Sequence, residues 1–310
     1  MPEPMAAEGH LSLKKPAHLK QINPPQASLS RATPSKQAPS AEQAASLKQT
    51  IAAIEAACLS GKAQHGKTRS ARVHVDTGLP EMDEALGGGI ARATIHEIMP
   101  RSVQDLGAAA GFAFGVAARA QETSAHTLYI QHDFTSAETG RPYLPGLKLS
   151  GFDTSSLIYL HVPQAEDVLW AMNEALKCRA FSSVIAEFPA HTRVLDLTST
   201  RRLALAAQEG LGLGLILRHA ATIEPNAATT RWLVSSAPSR GSEHGGMGAP
   251  NFHLDLVKNR FGTSGQWQVE WHAHERKFEH AHKAGTPLSG NLVQPSVYRP
   301  DRARPFATAV

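Results

Sequence analysis

Thr94-Ile-His-Glu-Ile98 runs into Met99-Pro100, then Arg101-Ser-Val-Gln-Asp-Leu-Gly107, and then an Ala-rich stretch up to residue 121. A short apolar strand, a loop and a helix follow one another in that order. The alternation continues downstream. Residues 127–131 and 157–162 read as strands. Residues 165–178 read as a helix with Val168, Leu169, Met172 and Leu176 on one face. Residues 183–187 form an apolar strand, 200–209 a helix with Gly210 placed to end it, and 213–217 another buried strand. Strands that alternate with helices of about ten or more residues predict parallel pairing and right-handed crossovers.

The pattern then changes. Residues 230–236, 252–258 and 267–272 are successive strands with no helix between them. The last two are joined by the tight turn Arg260-Phe-Gly-Thr-Ser-Gly. This predicts an antiparallel extension on the edge of a parallel sheet.

Working outward, residues 1–46 are rich in Ala, Pro, Ser, Gln and Lys, and the first aromatic residue of the chain is Phe112. Such a stretch buries too little apolar area to offset its ordering entropy, so it is expected to be a disordered basic tail. Residues 47–72 read as an amphipathic helix and linker, 73–274 as the core domain, and 275–310 as a second disordered basic tail. Charge follows this division: residues 1–75 carry +6, residues 76–271 carry −5, and residues 272–310 carry +3. Basic ends attract phosphate backbones weakly and without sequence preference. The first residues lack the apolar segment of a secretory signal, and no run approaches the roughly 20 apolar residues of a membrane span. Two cysteines, Cys58 and Cys178, lack metal-ligand spacing and are expected to be ordinary thiols of a cytoplasmic protein.

Gly61-Lys-Ala-Gln-His-Gly-Lys67-Thr68 matches the phosphate-loop pattern letter for letter. A working loop needs a buried strand before it and a helix after it, so that backbone N–H groups wrap the phosphates. Here a helical pattern precedes and Arg69-Ser-Ala-Arg72 follows, so the match is expected to be accidental. The loop at 101–107 has the right context but no Gly-Lys-Thr. Without that lysine and the Mg²⁺-binding hydroxyl, phosphoryl transfer loses its electrostatic clamp.

The order of segments resembles the RecA recombinase family. The likeness is carried by Asp76-Thr-Gly-Leu-Pro-Glu-Met-Asp83-Glu-Ala-Leu-Gly-Gly-Gly89 and by Val184-Ile-Ala-Glu187 in place of a Walker B strand. Thr127-Leu-Tyr-Ile-Gln-His-Asp133 and Val257-Lys-Asn-Arg260 add to it. The chain is more closely similar to the ImuA family, on Tyr143-Leu-Pro-Gly-Leu147, Val168-Leu-Trp170, Ser199-Thr-Arg201-Arg202, Ala228-Thr-Thr-Arg231-Trp232 and Gln266-Trp267-Gln-Val-Glu270-Trp271. The resemblance implies a RecA-like, mostly parallel sheet with an antiparallel C-terminal edge. It also implies a non-catalytic accessory role, without cofactor, in SOS-induced translesion synthesis. The implied partners are an ImuB-like, Y-family-related protein and an error-prone C-family polymerase, with RecA and single-stranded DNA as further candidates. Two alternatives stay open: a DNA-dependent ATPase with an unorthodox nucleotide site, and a regulator that caps RecA filaments.

Asp133 and Glu187 end neighbouring strands, where α/β folds place ligand-binding groups. They read as relic carboxylates held by Arg or backbone N–H groups. Arg201 and Arg202, placed at a helix N-terminus against its dipole, suggest an anionic partner or a salt bridge. Lys258 and Arg260 share a strand face opposite Val257 and are candidates for DNA or partner contact. Trp267 and Trp271 share strand parity; they read as core or edge residues, or as a partner groove. His272, His274, His280 and His282 form two His-x-His pairs, for which no metal role is expected.

Overall fold

The computed structural model describes residues 74–121, 125–190, 192–219, 223–241 and 248–281. The tail at 1–46, the helix and linker at 47–72, Lys67 and its phosphate-loop match, and residues 282–310 lie outside the described residues.

The alternation read from residue 94 onward builds one nine-stranded sheet. Its strands are β3 (Thr94–Pro100), β4 (His126–His132), β5 (Leu157–Val162), β6 (Phe181–Phe188), β7 (Leu213–Arg218), β8 (Thr230–Ala237), β9 (Asn251–Asn259), β10 (Gly265–His272) and β11 (Lys277–His280). A separate two-stranded pair joins β1 (His74–Val75) to β2 (Ile90–Ala91). The order in the large sheet is β11-β10-β9-β8-β3-β7-β6-β4-β5. Every pairing from β8 to β5 is parallel, and those among β8, β9, β10 and β11 are antiparallel. This is the expected fold class. The strand entering the 101–107 loop, β3, is separated from the acid-ended β6 by one strand, β7.

Near-continuous apolar sequence marks strands covered on both faces. All residues of β6 and β7 are buried. The helices divide the covering work. The first, α1 (Pro80–Ala85), packs near β10. The helix α2 (Leu106–Ala120) covers one face together with aromatic residues of the antiparallel edge. Two short helices follow β4, α3 (Asp133–Thr139) and α4 (Leu144–Leu149). The opposite face is covered by α5 (Ala165–Lys177) and α6 (Leu197–Gly210).

The face under α2 is aromatic. Phe278 packs in a tilted geometry at centroid distances of 4.7 Å from Trp271 and 5.4 Å from Phe112, and Phe112 lies 5.3 Å from Trp232. Gly115 of α2 makes this approach possible: a Cβ there would stand 2.8 Å from the Phe278 ring.

Three expectations are corrected. The C-terminal tail does not begin at 275. Lys277–His280 is a strand on β10, and Phe278 is fully buried. A four-residue strand with one core residue is too short for period-2 patterning to reveal. The helix expected at 200–209 starts at Leu197, where Asp196 accepts from Ser199 N at 2.7 Å as the N-cap. Gly210 does not take the left-handed position that ends it; Leu211 does, with φ 59°. Glycine is needed at 210 because a side chain would overlap the Leu176 carbonyl of α5. Cys178 is disulfide-bonded, so the expectation of a free thiol is not met there. No described helix is long and apolar enough to cross a membrane.

Candidate functional site

The loop after β3 is where a phosphate-binding loop would sit. Here β3 leads through Arg101 and Ser102 into a single 3-10 turn, Val103–Asp105, and then into α2. Asp105 stands at the head of the helix and is buried. Its carboxylate accepts from Ser102 Oγ at 2.6 Å, Ser236 N at 2.9 Å and Ser236 Oγ at 3.1 Å. Burial alone would raise this carboxyl, but the Ser102 and Ser236 hydrogen bonds outweigh it and hold it below the ordinary range. A fixed negative charge therefore complements the helix dipole and repels an incoming phosphate. The loop's cation, Arg101, is ion-paired with Asp255 of β9. These residues do not fit a nucleoside triphosphate.

Glu187, near the end of β6, is 3% exposed. Tyr129 Oη donates to its Oε1. Gln131 Nε2 donates to its Oε2 at 3.0 Å, and His219 Nε2 lies 3.6 Å from the same oxygen. Burial pushes the Glu187 carboxyl up, and the His219, Tyr129 and Gln131 partners more than offset that. Both oxygens are thus already engaged. The register of β4 on β6 places Ile130 beside Ala186, so Gln131, not Asp133, faces Glu187. Asp133 opens α3, is half exposed and pairs with His161 of β5 at 3.1 Å. The two carboxylates have separate partners. The expected Arg or backbone N–H partners give way to tyrosine, glutamine and histidine for Glu187, and to histidine for Asp133.

A buried charge network was not legible as a site. His96 and Glu97 are adjacent on β3 and so point to opposite faces. His96 is buried, with Nδ1 2.7 Å from Thr230 Oγ1 and Nε2 2.8 Å from the Ala91 carbonyl. Burial holds its imidazole down to about 4, so the ring is neutral. Glu97, 1% exposed, meets Arg218 at 3.5 Å and is ion-paired with Arg231; Asn226 Nδ2 donates to it at 2.7 Å. Arg218 also reaches Glu224 at 3.2 Å. The ladder explains the row: Glu97 lies beside Arg231, and Arg231 beside Lys258. The available signal was two polar residues inside an otherwise apolar strand, because a charge buried there must be paired.

The nominated surface residues separate into two groups. Arg201, Lys258 and Arg260 line one groove with Leu197, Leu205 and Asn226. Lys258 and Arg260 share this face, and Val257, the residue left unpaired where the register of β9 on β8 shifts, does not line the groove. Arg201 and Arg202 lie in the second turn of α6 rather than at its N-terminus, because the helix starts at Leu197. Arg202 does not line the groove; its charge helps hold the Asp196 carboxyl low, after the Ser199 hydrogen bonds. Trp267 and Trp271 pack against the core under α2, and Trp271 but not Trp267 lines a cavity of about 370 Å³ with Phe114, Leu147 and Phe252. Trp271 is buried and donates from Nε1 to the Ser150 carbonyl at 2.9 Å, and Trp267 packs 6.1 Å from Trp232. β11 covers the strand that was expected to be an edge.

The histidine pairs also part. His272 faces Glu279 at 3.3 Å and His280 faces Glu81 at 2.6 Å, while His282 lies outside the described residues. Among the described residues no three His, Cys, Asp or Glu side chains are grouped to hold a metal ion.

No family model matches the chain. Among solved structures, the RadB recombinase is similar at a TM-score of 0.47 and 15% identity, over 67% of this chain and 100% of that one. Among curated proteins, Protein ImuA of Caulobacter vibrioides strains NA1000 / CB15N and ATCC 19089 / CIP 103742 / CB 15 is 25% identical over 218 residues. The match spans 66% of this chain and 85% of each relative. The chain is a distant homologue of Protein ImuA.

Proposed function

We propose that this chain is a non-catalytic, RecA-like accessory subunit of an SOS-induced translesion-synthesis complex, bridging an ImuB-like protein and an error-prone C-family polymerase. The similarity to ImuA supports the family context. One observation carries the non-catalytic reading: the Asp105 carboxylate, tied to Ser102 and Ser236, stands beside the head of α2 where an ATPase would hold a phosphate. Two others agree with it. Arg101 is paired with Asp255, and the buried Glu187 already accepts from Tyr129 at one oxygen and from Gln131 at the other, the setting of a carboxylate held in a packed polar network.

Phosphate release by the purified full chain, with and without single-stranded DNA, tests this part. The expected rate equals the no-protein background. Turnover that DNA stimulates and that Asp133→Ala or Glu187→Gln abolishes would overturn it in favour of an unorthodox ATPase.

A further inference from the structure

Leu197, Arg201 and Leu205 recur at i, i+4 and i+8 on α6 and so share one side of the helix. The two leucines are 47% and 59% exposed. Beside them Lys258 and Arg260 leave the end of β9, and Asn226 completes a groove of about 410 Å³. Exposed apolar side chains and cations thus alternate along one concave surface.

Charge in this region is one-sided. Among the described residues that line the groove there is no carboxylate. The charge network beneath it is already balanced, with the buried Glu97 and the exposed Glu224 facing Arg218 and Arg231. Arg201, Lys258 and Arg260 are therefore in excess. Lys258 Nζ donates to the Asn226 carbonyl at 2.8 Å. Burial, then the neighbouring Arg231 and Arg260, push its ammonium below the ordinary lysine range. Such a site gains when a carboxylate arrives.

The occupant must then be acidic and partly apolar. The chain's own ends do not qualify, since residues 1–75 carry +6 and residues 272–310 carry +3. A nucleic-acid backbone would match the cations but leave Leu197 and Leu205 unused, and single strands are gripped by aromatic platforms rather than leucines. We propose that this groove docks an acidic amphipathic segment of a partner protein, with carboxylates toward Arg201, Lys258 and Arg260 and apolar side chains against Leu197 and Leu205. This deepens the accessory-subunit reading by naming a binding surface, and its test requires no particular partner.

A random-peptide display library is panned against the full chain. Selected peptides are then measured against the wild type, the double variant Arg201→Glu/Arg260→Glu, and Leu205→Ser. All three substituted side chains are exposed, and thermal melts confirm that the variants fold. The expected peptides are acidic with interleaved apolar residues. Their affinity falls at least about tenfold in the charge-reversed variant and measurably in Leu205→Ser. No enrichment, neutral or basic winners, or peptides indifferent to both variants would overturn the proposal. An oligo-dT probe run in parallel separates the other class of ligand: binding to the wild type that the charge reversal abolishes would make this a nucleic-acid surface instead. Peptide docking that persists while an ImuB-like protein fails to bind the chain would sink the complex reading alone.

Discussion

Phe278→Ala separates the observed fold from the one expected from sequence. Phe278 is fully buried, and its ring contacts Phe112, Phe252 and Trp271 at centroid distances of 5.4, 6.4 and 4.7 Å. It also fills the space left by the missing side chain of Gly115. Truncating a phenylalanine in such a site removes its transfer free energy and leaves a cavity, at a cost of about 3 to 5 kcal/mol. For a domain of this size each kcal/mol shifts Tm by about 2 to 4 °C, so the melt should fall by roughly 6 to 20 °C. Urea unfolding followed by tryptophan fluorescence reports the same change directly, because Trp271 touches the mutated ring. Deletion of residues 282–310, whose polar, Pro-bearing sequence is expected to be a disordered tail, is the matched control and should change stability by less than about 1 kcal/mol. Deletion from 275 onward should instead behave like Phe278→Ala or worse. A Phe278→Ala protein whose stability lies within about 0.5 kcal/mol of wild type would refute the placement of β11 on the sheet.

Other outcomes follow from the same structure. Glu97→Ala leaves Arg218 and Arg231 buried without their shared carboxylate and should cost about 3 to 5 kcal/mol in urea unfolding; a loss below about 1 kcal/mol would mean that the network is hydrated. His96 is held down to about 4 from an ordinary 6.5, so between those values the unfolded chain binds a proton that the folded chain refuses. Its contribution, on the order of 3 kcal/mol, is fully present above pH 6.5 and is lost as pH falls toward 4. Stability measured across that window should therefore decline less steeply in His96→Gln, and parallel profiles would exclude His96 as the cause. Lys67→Ala should leave damage-induced mutation frequency unchanged at normal protein level, because the sequence around Gly61 lacks the strand a phosphate loop requires.

Most of the sheet was legible because its signals are long and repeated. Continuous apolar runs marked β6 and β7, and the loss of intervening helices after residue 229 marked the change to antiparallel pairing. The misses have physical causes. β11 places a single apolar residue in the core, and one residue has no period. The start of α6 is set by Asp196, a capping residue that looks like any loop aspartate until its bond to Ser199 is seen. The candidate site was half legible. Strand parity placed Lys258 and Arg260 together, but only tertiary packing brings Arg201 of α6 beside them. The missing Gly-Lys-Thr at 101–107 was visible in the sequence. That Asp105 occupies the head of the helix was not, because its ligand Ser236 lies 131 residues away.

The central claim is that this chain works by joining other proteins rather than by turning over nucleotide. Size-exclusion chromatography of the purified full chain with an ImuB-like protein and a C-family polymerase from the same genome tests it most directly. The account predicts one ternary peak that separates into its components when this chain is omitted. A polymerase that assembles fully with the ImuB-like protein in its absence, or a chain that elutes alone, would contradict it.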